Sequence, residues 1–95
     1  MKDERERRQL EIVVSKIASY KKGECSLQSI INTVEGVWEF VNSEEWRGVA
    51  DRAILELEQI NAAMIEDHRQ MKYWEKSHSS KYIDAIEAIS LKLLK

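Results

Sequence analysis

Proline is absent from the sequence, glycine occurs three times and cysteine once. Without residues that break helices or supply left-handed turns, a turn-rich sheet is disfavoured and long uninterrupted helices are expected. Cys25 is the lone thiol, so it forms no internal disulfide, and it reads as a partly buried residue at a loop or helix start in a reducing compartment. Nowhere do about eighteen apolar residues follow one another, as a membrane-spanning helix requires. The start, MKDERERRQL, carries charges where a secretory signal needs an apolar run. These absences predict a cytoplasmic protein with no membrane partner.

What is present is apolar and charged in helical proportions, 43% hydrophobic against 34% charged residues. Ninety-five residues make one domain, 1–95, and a chain of that size buries only about 60 to 65% of the surface its unfolded form exposes. The net charge of -2 conceals a block pattern. Residues 1–23 hold seven Lys/Arg against four Asp/Glu, and residues 68–95 hold six against three. Residues 24–67 hold ten acidic side chains against Arg47 and Arg52 alone, a balance of -8. Within that segment the stretch VEGVWEFVNSEEW, residues 34–46, combines two tryptophans, a phenylalanine and four glutamates with no basic residue at all.

Apolar periodicity predicts four helices. The first runs from about Asp3 to Tyr20 with Leu10, Val13, Val14 and Ile17 inward and Glu4 placed to pair with Arg8; its first eight residues are nearly all charged and are expected to fray. Gly23 follows its end. The second helix has the clearest period, Leu27, Ile30, Ile31, Val34, Val37, Trp38 and Val41, entered through Ser26 or Cys25. Asn42 is then expected to cap the third helix, with Glu45 as its capping-box partner. That helix carries Trp46, Val49, Ala50, Ala53, Leu57, Ile60 and Met64 on one stripe, with His68 and Met71 continuing the row. Ser77 to Ser80 read as the next break, followed by a fourth helix with Tyr82, Ile86, Ile89 and Leu93 inward. Short connections between amphipathic helices imply a compact antiparallel all-α bundle.

Once the core stripes are assigned, Ile12, Phe40, Leu55 and Leu91 remain, projecting away from their helices' apolar faces. Leu55 shares the outer strip of the third helix with Glu44, Asp51, Glu58 and Glu66, and Glu35 and Glu39 stand one turn apart on the second. An acidic outer face is often mere solvated surface. Like charges one turn apart nevertheless cost a few tenths of a kcal/mol per pair, and basic neighbours that would relieve the cost are nearly missing. The charge is therefore expected to act on something outside the chain, a basic macromolecule. The candidate partner-binding residues are Glu35, Glu39, Phe40, Glu44, Asp51, Leu55, Glu58 and Glu66.

Catalytic and cofactor chemistry find little support. Glu75-Lys-Ser-His78 is a single Glu-x-x-His, whereas a di-iron bundle needs two such motifs and two further inward glutamates, so no metal is expected. Cys25 and the two histidines fall in different elements with no glycine-rich oxyanion loop, and no enzyme is expected. The Lys72-Tyr73-Trp74-Glu75-Lys76 cluster interleaves aromatics with positive charge, as nucleic-acid binders do, but an overall acidic domain is repelled by phosphate, and Trp74 reads as a residue closing the core.

The run LQSIINTVEGVWEFVNSEEWRGVADRAILELEQINAAM, residues 27–64, resembles small all-helical bacterial immunity proteins, including those encoded beside contact-dependent growth inhibition toxins and other polymorphic toxins. The likeness rests on Ile-Ile-x-x-Val-Glu over Ile30 to Glu35, Glu-Glu-Trp over Glu44 to Trp46 and Leu-Glu-x-Ile-x-Ala over Leu57 to Ala62. It covers about forty of the ninety-five residues and leaves the charged first helix unplaced. It implies a non-enzymatic cytoplasmic protein, without cofactor, that binds the C-terminal domain of a delivered toxin. Such a toxin is commonly a nuclease, whose surface must be positive to hold phosphate. Two alternatives stay open: a homo-oligomeric adaptor or structural bundle buried through Ile12, Phe40, Leu55 and Leu91, and a histidine phosphotransfer module built on His68.

Overall fold

The computed structural model describes the backbone of residues 4–67 and 72–95 and the side chains of residues 4–63 and 75–95. Among them are four α-helices and one short 3-10 turn: α1 (Glu4–Lys21), α2 (Leu27–Val37), the turn Trp38–Phe40, α3 (Glu44–Asp67) and α4 (Lys72–Leu94). No strand occurs among the described residues. The fold is the all-α bundle that the periodicity predicts.

Each boundary has a local cause. Around Gly23, at φ +78°, the N–H of Gly23 bonds to Tyr20 O and that of Glu24 to Ser19 O, both at 2.9 Å. These are the two crossed bonds of a Schellman stop, and only a residue that tolerates the left-handed region makes them without strain. Ser26 opens α2 by accepting from Ser29 N at 3.2 Å. Of the two starts the sequence allowed, serine is the one used; the Cys25 thiol instead donates to Lys16 O at 3.6 Å.

The junction between α2 and α3 departs from expectation. The α-helix stops at Val37, and the chain tightens through Trp38–Phe40 before extending at Val41. Val41 stays fully buried although it lies beyond the helix. Arg47 explains the arrangement, since its Nε donates to Val41 O at 2.8 Å and its Nη2 to Trp38 O at 3.1 Å. Both carbonyls lie at the end of the turn, where Trp38 O also accepts from Val41 N at 3.4 Å. Ser43, not Asn42, caps α3: Ser43 Oγ accepts from Trp46 N at 3.2 Å and its carbonyl accepts from Arg47 N at 3.0 Å. With the cap one residue later, Glu45 is not a capping-box partner, and it reaches Lys92 of α4 at 3.0 Å instead.

The second correction concerns α4, which begins at Lys72 and runs straight through Ser77 to Ser80. Ser79 and Ser90 are fully buried on its inner face together with Ile83 and Ile86, a row spaced at i, i+4, i+7, i+11. Ile89 is buried beside it, and Tyr82 and Leu93 pack on the core as partly covered residues. In α1, Leu10, Val13, Ile17 and Tyr20 are buried and Val14 is only half-buried. On its surface Arg7 pairs with Glu11 at 3.6 Å, and no pair between Glu4 and Arg8 forms among the described residues.

Neighbouring helices run antiparallel and close a ring. Tyr20 at the end of α1 meets Glu75 and Ser79 near the start of α4, while Trp46 at the start of α3 meets Ser90 near the end of α4. At the other edge, Asn61 of α3 donates to Gln28 in the first turn of α2 at 2.6 Å. The eleven residues of α2 therefore cover only part of the twenty-four-residue α3. The core they enclose includes Trp46, Leu57, Leu10, Ile17, Ile30 and Ile31, all at 1% exposure or less. Burying a side chain of this size contributes about 1.5 to 3 kcal/mol.

Candidate functional site

A groove of about 480 Å³ runs between the α2 end and α3. Its geometry follows from the helix periods. Glu35 near the end of α2 and Glu39, which lies on the 3-10 turn and not on the second helix as expected, form one wall, and Asp51, Leu55 and Glu58, at i, i+4, i+7, share one face of α3 and form the other. Trp38 and Ile54, partly covered by the core, line it between the walls. Gly36 lines the α2 side with no Cβ. Among the described residues that line the groove, none is basic.

Five of the eight sequence-nominated residues thus meet in one place: Glu35, Glu39, Asp51, Leu55 and Glu58. Phe40 is 43% exposed on the 3-10 turn and does not line the groove. Glu44 is exposed in the first turn of α3, likewise outside it. Glu66 belongs to α3, but its side chain lies outside the described residues, as do His68, Met71 and the side chain of Trp74. The large hydrophobics exposed among the described residues are Ile12, Phe40, Leu55 and Leu91, the four that the core stripes left over.

Electrostatics sharpen the picture. Glu35 and Glu58 come within hydrogen-bonding range of each other across the groove, and this contact is the main reason that the Glu35 carboxyl is held above the ordinary glutamate range. Partial loss of water and the charge of Glu58 push the same way. Among the described residues no ion pair reaches Glu35, Glu39, Asp51 or Glu58. Arg47 is turned inward, bonded to two carbonyls and 5.7 Å from the centroid of the Trp38 ring. That ring in turn lies 5.8 Å from the ring of Trp46, tilted by 53°.

Some charges elsewhere are paired. Lys21 holds Glu87 at 2.9 Å and Asp84 at 3.0 Å, and those two hydrogen bonds, Glu87's first, raise its pKa. Glu75, half of the Glu-x-x-His spacing, accepts from the Tyr20 hydroxyl at 2.6 Å. Among the described residues no group of three or more His, Cys, Asp or Glu converges as a metal ion would require. Nor is any described helix long and apolar enough to cross a membrane.

Sequence reasoning missed Gly36, Trp38 and Ile54 as groove residues. Trp38 belongs to the inward period of the second helix and Ile54 lies at the edge of the third helix's stripe, and the signal that could have found them is that position, adjoining an acidic row. No family model, curated protein or solved structure matches this chain.

Proposed function

We propose that this protein is a non-enzymatic inhibitor of a basic protein, acting in the cytoplasm as the immunity partner of a toxin domain, with a nuclease as the best-fitting toxin class. The observation that carries the reading is the groove itself: four carboxyl groups from α2, the 3-10 turn and α3 around an exposed leucine, with no basic residue among the described residues that line it. An isolated acidic surface would gain by interleaving lysines; this one forgoes that relief and surrounds apolar surface with negative charge. A positive surface shaped for phosphate is complementary to it. The resemblance of residues 27–64 to immunity proteins adds the biological context and remains part of the proposal.

Such a complex forms fast and is sensitive to salt, because steering acts over a Debye length of about 10 Å at 0.1 M ionic strength. Its affinity rests on a few anchors, of which Leu55 at 57% exposure is the leading apolar one. The test takes the C-terminal domain encoded by the reading frame directly upstream and measures binding and growth protection with wild type and with Asp51→Lys/Glu58→Lys. The expected result is binding weakened by about tenfold or more at low salt, the difference shrinking as salt rises. Unchanged affinity and unchanged salt dependence in that variant would place the partner on another surface and end this reading.

A further inference from the structure

The groove has features that a generic acidic surface does not need. Its interior is apolar, with Leu55 standing 57% exposed and Trp38 and Ile54 only partly covered. One side is glycine: nothing lies within 4 Å of where a Cβ on Gly36 would sit, so the space beside it is open. At the rim, carboxyl groups from two different helices approach closely enough to share a hydrogen bond. An occupant that matches all three must offer a long apolar stem and a flat cationic head with several donors.

Among side chains only arginine meets that description. Its guanidinium carries five N–H donors in a rigid plane and is weakly hydrated, whereas lysine presents a compact, strongly hydrated point charge. A planar fork can serve two carboxylates at once, replacing the bond they make to each other with two charge-assisted ones. Its methylenes then cover Leu55 and the edge of Trp38. We propose that the groove between α2 and α3 receives an arginine of the protein partner, with the guanidinium between Glu35 and Glu58 and the stem along Leu55. This inference rests on the reading of the protein as a binder of a basic partner and names the chemistry of its anchor.

The experiment uses the full chain with two blocked peptides of equal charge, acetylated and amidated tetra-arginine and tetra-lysine, at low salt. Dissociation constants are measured together with amide shifts in two-dimensional NMR. Tetra-arginine is expected to bind about tenfold more tightly, with the largest shifts at Gly36, Leu55 and Glu58. Two variants test the place. Glu35→Gln/Glu58→Gln removes the carboxylates, and Gly36→Leu fills the groove without altering charge; both are expected to bring the two peptides within about twofold of each other. Gly36 is an exposed helical position with open space around it, so the leucine variant is expected to fold. Equal affinities in the wild type, or an arginine preference that survives Gly36→Leu, overturns the proposal. Either result leaves the toxin-binding measurement on Asp51→Lys/Glu58→Lys to stand or fall separately, so loss of the anchor is distinguishable from loss of the acidic surface.

Discussion

The indole Nε1–H of Trp46 donates to Ser90 Oγ at 2.9 Å, joining the start of α3 to the end of α4 where both residues are fully buried. A buried donor that loses its acceptor bears the whole desolvation penalty, about 1 to 3 kcal/mol. Ser90→Ala is expected to destabilise by that amount, and in a domain of this size each kcal/mol lowers Tm by about 4 to 8 °C. Urea unfolding gives the check. Trp46→Phe should cost less in the Ser90→Ala background than in the wild type, because there the bond is already broken and the substitution removes an orphaned N–H. Additive effects would show that the bond carries no coupling.

Tyr20 makes the matching link at the other end of α4. Its hydroxyl donates to Glu75 Oε2 at 2.6 Å and lies 3.4 Å from the buried Ser79 Oγ. Burial first, and the bond to Glu75 next, push its pKa up to about 12. Since the folded state keeps a proton that the unfolded chain releases from about pH 10 upward, this contribution to stability is intact below pH 10 and is lost as pH rises through about 12. Lys21, raised by its bonds to Glu87 and Asp84, acts with the same sign. Tyr20→Phe should therefore cost about 1 to 2 kcal/mol near neutral pH and flatten part of the alkaline loss in a pH series of denaturant melts. A wild-type alkaline limb unchanged by the substitution would contradict the assignment.

These two links also show where the sequence could be read and where it could not. The second helix was legible because its inward positions from Leu27 to Val37 are all apolar, so one period explains them. Serines hid the start of the fourth helix. Ser79 and Ser90 occupy core positions only because Tyr20 and Trp46, distant in sequence, supply their partners, and a stretch reading Ser-His-Ser-Ser resembles a break when those partners are out of view. The α2 to α3 junction failed for a related reason, since an arginine bonding carbonyls six and nine residues earlier leaves no periodic trace. For the site, the charge block and the leftover leucine pointed to strips that line the groove. That the strips face each other depends on how α2 lies against α3, which is a matter of packing.

The glycines provide substitutions of opposite sign. Gly23 holds φ +78°, and although a Cβ there would touch nothing, any other residue must adopt a left-handed conformation. Gly23→Ala is expected to cost about 1 to 2 kcal/mol. Gly48 lies exposed inside α3, also with open space about its Cα. There alanine restricts the unfolded chain and favours the helix, so Gly48→Ala should stabilise by about 0.5 to 1 kcal/mol. Paired thermal melts decide, and a stabilising Gly23→Ala would refute the Schellman stop.

The groove has its own titration. Glu35 is held above the ordinary glutamate range chiefly by its hydrogen bond with Glu58, so the folded protein retains a proton that the unfolded chain has released. The associated stability is present at low pH and disappears as pH rises through the folded-state value of Glu35. Carboxyl carbon NMR should show a raised midpoint for Glu35 in the wild type. In Glu58→Gln the midpoint should return to the ordinary range or below it, because an amide donor now faces the carboxylate in place of a negative charge. A guanidinium seated between the two carboxylates must expel that same proton. Affinity for the arginine peptide should accordingly rise with pH across the Glu35 titration, and calorimetry in buffers of different ionisation enthalpy should register proton release on binding; a midpoint for Glu35 that Glu58→Gln leaves in place would separate the two groups and remove the basis for both effects.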